Sequence, residues 1–417
     1  MNRSSEELTR TQSAPMSNAG PMSESGIRCQ ETAGTRFGPI QTGFILTGVV
    51  TTLLGPMIPI LSAKWGIGDG KSGYLFTAQF LGALSATLAT GWLFARLGYI
   101  RPIAVAFFLM SAGIATLGLA PWPVGLGAVF VYGLGLGVVV PGINLYVAHN
   151  VTEGRASALN TLNFLWGVGA VSGPPVIASL CRTYGILPPH LILATLLSAT
   201  AFLILKSCQG SGGDPGAPEH VIDTEPVVSG WAPAVLIALF IFLYVGMENS
   251  VGGWAATYAG RITTWPESAW PLASLVFWGA LMAGRGVAPP VLKRINEARL
   301  ILIALSAAVA GNLVIVGAFS GASLLSGILI AGFGFATIYP MTVASLSRFY
   351  GAGCARVASF VFGMAALGGA TMPWAVGHLS TRLGSLRLGL LVPLVASLAM
   401  FGLHAAINSA SRSAVNR

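Results

Sequence analysis

Glu248 is the only carboxylate set well inside a long apolar run of this chain, the stretch 232–257. If such a run lies in lipid, an ionised group there costs at least about 2.5 kcal/mol by insertion scales, so it must face a cavity, a partner or a bound cation. The chemistry open to it is reversible: it can take up a proton when occluded, or accept hydrogen bonds from hydroxyl groups. Tyr244 precedes it by one turn on the same face, and Asn249 follows it. Trp254 lies just beyond Gly252 and Gly253, which can loosen the helix and turn carbonyls toward a cavity. Carboxylate and amide groups grip hydroxyls, and an indole covers an apolar ring face. The competing readings are a structural hydrogen bond to a neighbouring helix for Glu248 and a place in the interfacial aromatic belt for Trp254. In the run 158–180, Asn160 and Asn163 stand at i and i+3 with Trp166 further along the same side. Asn163 is the deeper of the two, although interhelical glue explains one of them as readily as ligand binding does. Gln79 remains a weaker candidate, and with Trp278 and Trp374 it fits packing better. His378 reads as a satisfied structural histidine.

The elements that must position these residues are set by composition. The chain has 417 residues, 54% hydrophobic and 8% charged, against about 25% charged in soluble proteins. Its charges sit between apolar runs, each long enough to cross about 30 Å of hydrocarbon as a helix. Twelve spans are expected, near 38–62, 73–95, 102–120, 122–147, 158–180, 189–206, 232–257, 268–289, 299–318, 322–346, 356–377 and 385–407. The predicted fold class is an all-α polytopic membrane protein whose 12 transmembrane helices form two pseudo-symmetric six-helix bundles, at 38–206 and 231–407. Residues 1–37 are polar and lack the apolar core of a signal peptide, so they read as a disordered cytoplasmic tail that is retained. The stretch 207–230 is rich in Gly and Pro and reads as a flexible cytoplasmic linker, and 408–417 as a second cytoplasmic tail. The 54 glycines read as packing residues that let helix backbones approach.

Lys and Arg fix the expected orientation. With both termini inside, sixteen lie on the cytoplasmic side, and six (Lys64, Lys71, Arg182, Arg261, Arg382 and Arg387) lie outside. This places the protein in the cell inner (plasma) membrane. The basic residues fall singly rather than in a patch, which argues against a nucleic-acid partner despite a net charge of +9. Sliding the second half back by 199 residues puts Gly332, Gly334 and Pro340 on Gly133, Gly135 and Pro141, and Gly368, Pro373 and Gly384 on Gly169, Pro174 and Gly185. That is the mark of a duplication, with parallel kinks at the prolines. A midplane solute site between two such halves follows a known transporter plan. The four cysteines and five histidines show neither metal spacing nor a nucleophile with its base. No GxxxxGK[ST] loop is present, so ATP does not drive the protein. No enzyme, no metal and no cofactor are expected; a coupled proton or sodium ion is. The partners expected are a small sugar-like solute and the lipid bilayer, and the protein should be monomeric.

Over 38–407 the chain resembles the major facilitator superfamily. Gly91-Trp-Leu-Phe-Ala-Arg-Leu-Gly-Tyr-Ile-Arg101 is similar to the signature loop after the second helix of that family, keeping Gly91, Arg96, Gly98 and Arg101. It departs at Ala95, where the family usually has an aspartate that pairs across the cytoplasmic gate. Gly284-Arg285 matches the family's tendency after helix eight. The resemblance implies gating roles for Gly91, Arg96, Gly98, Arg101 and Arg285. Leu159 to Pro174, Tyr244 to Trp254 with Tyr258, and Gly332 to Pro340 together resemble the fucose permease branch, which includes sodium-linked glucose transporters. That likeness implies a sugar or polyol taken up with a proton or sodium ion. It also strengthens Asn163 and adds Asn144 and Tyr339, beside Pro141 and Pro340, because helices one, four, seven and ten line the family's cavity. The fucose permease carries carboxylates in helices one and four; the runs 38–62 and 122–147 contain none. The alternative is efflux of drugs or metabolites, which would call for a cavity lined with Met and Phe.

Overall fold

The computed structural model describes residues 24–151, 154–207, 231–350 and 354–415, and among them every regular element is helical. The expected linker and the N-terminal tail fall largely outside these residues, whereas the expected C-terminal tail 408–417 is described as far as Val415, as the end of the last helix. The helices are α1 (Glu24–Thr52), α2 (Leu54–Trp65), α3 (Asp69–Leu97), α4 (Ile100–Leu119), α5 (Trp122–Asn150), α6 (Arg155–Tyr184), α7 (Leu187–Ser207), α8 (Trp231–Ile262), α9 (Pro271–Leu292), α10 (Glu297–Gly317), α11 (Gly321–Ala336), α12 (Ile338–Tyr350), α13 (Cys354–Leu383), α14 (Leu386–Gly389) and α15 (Leu391–Val415). Eleven helical segments are long and apolar enough to cross a membrane, and a pair bent by 51°, Gly38–Thr52 with Leu54–Trp65, supplies the twelfth span. Helix α1 begins at Glu24, inside the stretch expected to be a disordered tail. A helix already nucleated in lipid extends at one hydrogen bond per residue, and Glu, Gln and Arg tolerate that extension.

Proline sets the breaks. Pro56 has no N–H for the Thr52 carbonyl, and the chain bends between α1 and α2. Pro340 leaves the Ala336 carbonyl without its helical donor, and span ten divides at Thr337 into α11 and α12. Its repeat partner Pro141 lies inside an unbroken α5, so the parallel kinks expected of spans four and ten are not equal. The difference has a local cause: in span ten the Tyr244 hydroxyl donates to the Phe335 carbonyl at 2.9 Å, satisfying a group that a broken helix exposes.

The duplication is visible in the packing. A side chain at Gly133 would run into the Gln79 carbonyl of the neighbouring span, and one at Gly332 into that of Phe277. Gly135 faces the Ala106 carbonyl as Gly334 faces that of Ala304, and Gly169 faces Ile45 as Gly368 faces Phe242. Gly185 and Gly384 close α6 and α13 at φ of 83° and 67°, a region that favours glycine. The same small residues therefore allow the same backbone approaches in both halves. Between the halves α3 packs on α13, α6 on α9, and α2 on α8. At the last crossing Gly55 abuts Gly252 and Gly253.

Candidate functional site

Glu248 is buried, and Tyr244, one turn earlier, donates to its Oε1 at 3.1 Å while sharing its hydroxyl with Phe335. Arg285 of α9 brings Nη2 to 3.7 Å from the same oxygen. Tyr339 of α12 stacks beside Tyr244 with ring centroids 5.8 Å apart and lies within electrostatic reach of the guanidinium. The pair is thus a carboxylate and a guanidinium between two tyrosines, within the C-terminal half. Among the described residues Arg285 Nε and Thr337 Oγ1 are buried without a hydrogen-bond partner. Arg285 keeps 31% side-chain exposure against 11% for Glu248, so both are largely removed from solvent and the carboxylate is the deeper of the two.

Asn249, the next residue, faces elsewhere. It lines a cavity of about 10 Å³, no more than about one water in size, between the halves with Thr51, Phe76, Gln79, Gly253 and Trp278. Gln79 is buried; its Nε2 donates to the Thr51 carbonyl at 3.0 Å and its Oε1 accepts from the Tyr132 hydroxyl at 2.9 Å. Asn249 Nδ2 donates to the Val245 carbonyl at 2.9 Å. Each amide keeps a second N–H and acceptor capacity, so the two halves present one spare amide apiece to the same space, beside an indole. Sequence reasoning gave Gln79 and Trp278 to packing, and the structure places both on the cavity wall.

The remaining candidates are dispersed. Trp254 is fully buried, donates to the Pro373 carbonyl at 2.9 Å and packs beside Phe76; it lies neither in an interfacial belt nor on the cavity wall. Asn144 and Asn163 return their amides to Val140 and Leu159 of their own helices, at 2.8 and 2.9 Å. Asn163 is exposed, and on the helical wheel it falls between the faces of α6 that meet α1 (Gly169, Ala170) and α9 (Gly167, Val171), while Asn160, also exposed, falls on the α9 face. Trp166 is half-buried, with its carbonyl against Gly48. Neither asparagine joins the charged cluster or the cavity. Trp374 stacks on His378 at 5.1 Å.

Of the expected gating residues, Gly98 caps α3 at φ 67°, its N–H on the Phe94 carbonyl at 3.0 Å. Gly91 and Arg101 are exposed, and Arg96 lies 5.0 Å over the Trp92 ring of its own helix. Arg285, counted with the loop charges and assigned to the gate, sits inside α9 and pairs with Glu248. Two opposite charges within spans are natural partners, but only the rotation of α9 in the assembled bundle brings these two together.

The charge pairs that join the halves lie at the end of the bundle carrying the loops 66–68, 185–186 and 263–266. Asp69, the first residue of α3, receives Arg261 of α8 in a bidentate pair at 2.5 and 2.7 Å and also accepts from the Ser380 hydroxyl of α13. Gly70 N–H donates to Thr381 Oγ1 at 2.9 Å. Arg182 pairs with Glu267 and lies 5.0 Å over the Trp270 ring. This double clasp ties the two halves together at that end, and sequence reading saw only Arg182 and Arg261, as outer-side charges. Arg261 is 43% exposed, so its pair is worth about 1 kcal/mol. Asp69→Asn should raise the maleimide-labelling rate of a cysteine at Thr381, in a cysteine-free background, roughly fivefold, the equivalent of that energy; an unchanged rate would mean that the pair does not hold the end closed.

Two duplicated six-helix halves with a charged centre and a cavity between them define a polytopic helical transporter. The Major Facilitator Superfamily pattern matches residues 42–364, and the chain belongs to that superfamily. A glucose/galactose transporter of Brucella abortus is 28% identical over 393 residues, covering 86% of this chain and 91% of its own. A bacterial homologue of the human lysosomal transporter Spinster, solved in an inward-facing and unoccupied conformation, superposes with a TM-score of 0.68 at 12% identity, over 92% of this chain and 97% of its own. The fucose:proton symporter of Escherichia coli superposes with a TM-score of 0.60 at 18% identity, over 89% and 98%. Both structural likenesses are likenesses of fold.

Proposed function

We propose that the protein carries a sugar or similar small polar solute across the inner membrane by alternating access, coupled to a proton or sodium ion through Glu248. The observation that carries this reading is the pair of amides, Gln79 and Asn249, that face one cavity from opposite halves beside Trp278. A solute gripped there must be released when the halves rock apart. Amides with an indole suit a ring bearing hydroxyls, and relatives that include a glucose/galactose transporter support the same class. Glu248, adjacent in sequence to the cavity residue Asn249 and paired with Arg285, supplies a coupling group. The excess of Lys and Arg supports cytoplasmic termini, which makes the clasped end the outer one and this conformation inward-facing. The protein works as a monomer.

The test is counterflow in proteoliposomes with a panel of labelled aldohexoses, hexitols and hexose-derived acids, because counterflow needs binding and alternation but no driving ion. Exchange of at least one member is expected. Exchange of none by correctly folded protein would overturn the sugar reading and put efflux of amphipathic compounds in its place.

A further inference from the structure

The charged cluster constrains the solute more tightly than the cavity does. Glu248 and Arg285 balance each other while the site is empty. Protonation of Glu248 leaves the Arg285 guanidinium without a counter-charge in a poorly solvated setting, and such a state persists only if another anion arrives. A sodium ion at Glu248 would sit beside that same guanidinium and be repelled by it. The duplication supplies no second pair, since the positions 199 residues earlier, Val49 and Ala86, are apolar and buried. The groups facing Glu248 are Tyr244 on its own helix, Arg285 from α9 and Tyr339 from α12. Helix α11 carries no titratable side chain. On the other elements packed against α8, His404 lies tilted beside Phe240, His378 stacks on Trp374, and Lys64 donates to the Gly118 carbonyl.

Resting on the transport reading above, we infer that the solute is a sugar monocarboxylate carried electroneutrally with one proton. The proton enters from water onto the Glu248 carboxylate, the ion pair opens, and the solute carboxylate takes its place on Arg285. The partly exposed guanidinium carries parallel N–H groups that can receive it bidentately. Empty and loaded sites then carry the same net charge. A neutral sugar would leave the loaded site with one positive charge too many, and a sugar phosphate dianion with one negative charge too many.

Matched probes test this on the full chain in proteoliposomes: D-glucuronate, D-glucose and D-glucose 6-phosphate. Labelled glucuronate should exchange, with glucose and glucose 6-phosphate at least tenfold weaker as competitors than unlabelled glucuronate. Its uptake should follow an inward proton gradient, ignore potassium diffusion potentials of either sign set with valinomycin, and persist when choline replaces sodium. Arg285→Gln should lose glucuronate exchange and Arg285→Lys should weaken it about tenfold; if neither variant folds, the wild-type measurements decide. Glucose exchanging as well as glucuronate, or uptake that responds to membrane potential or needs sodium, overturns the proton–anion inference and leaves the sugar reading standing. Exchange of none of the wider hexose panel by folded protein overturns both.

Discussion

Proteoliposomes carrying Glu248→Gln should exchange solute at close to the wild-type rate and accumulate none of it. Glutamine keeps the shape and the acceptor oxygen that Tyr244 reaches at 3.1 Å, so the packing around α8 survives. What it removes is the ability to gain and lose a proton, together with the charge that balances Arg285 in the empty site. With one proton per solute, a gradient of one pH unit is worth about 1.4 kcal/mol, which supports roughly tenfold accumulation in the wild type. The variant should fall to a ratio near one, however steep the gradient, while counterflow continues because it needs no driving ion. Continued accumulation would reduce Glu248 to a structural hydrogen-bond group. Loss of counterflow as well would make it a direct solute ligand, without which alternation is empty.

The expected split between accumulation and exchange depends on two clusters that differ in how legible they were. Spans, halves and the duplicated packing could be read in advance, because lipid allows only helices and closed barrels, and continuous apolar runs of about 20 residues select helices. The glycine pairs found at one offset, such as Gly169 and Gly368, became equivalent backbone contacts. Tyr244 and Glu248 were also foreseeable, since i and i+4 residues meet on any helix. Contacts between helices were not. The rotation of α9 about its axis decides whether Arg285 faces water or Glu248, and nothing local to Gly284-Arg285 encodes it. The same holds for Gln79, whose burial looked like packing until Tyr132 and Thr51 fixed its amide at the cavity wall. It holds in reverse for Trp254, which carries the chemistry of a sugar platform but is closed off by α13. The clasp was hidden for a further reason: Asp69, Arg261 and Ser380 come from three helices and two halves, so only the assembled bundle brings them together.

Arg285→Met should be the most destabilising single change in the charged cluster, and Glu248→Gln should rescue it. Removing one partner of a buried ion pair leaves the other charge uncompensated, at a cost of about 3–5 kcal/mol. The lower end applies here, because the pair is open at 3.7 Å and Arg285 is 31% exposed. Methionine fills much of the volume of the aliphatic stem without returning a charge, so the loss is electrostatic rather than a cavity. In the double variant no charge remains in the pair, and the glutamine amide that replaces the carboxylate still accepts from Tyr244. Its unfolding midpoint in detergent should climb back most of the way to wild type, a coupling well above the few tenths of a kcal/mol expected of independent sites. Transport should not return with stability: the double variant has lost both the proton acceptor and the cation that receives the solute. A double variant as unstable as Arg285→Met alone would mean that the guanidinium acts through packing and not through Glu248. The charge-balance argument for the solute would then lose its physical basis as well.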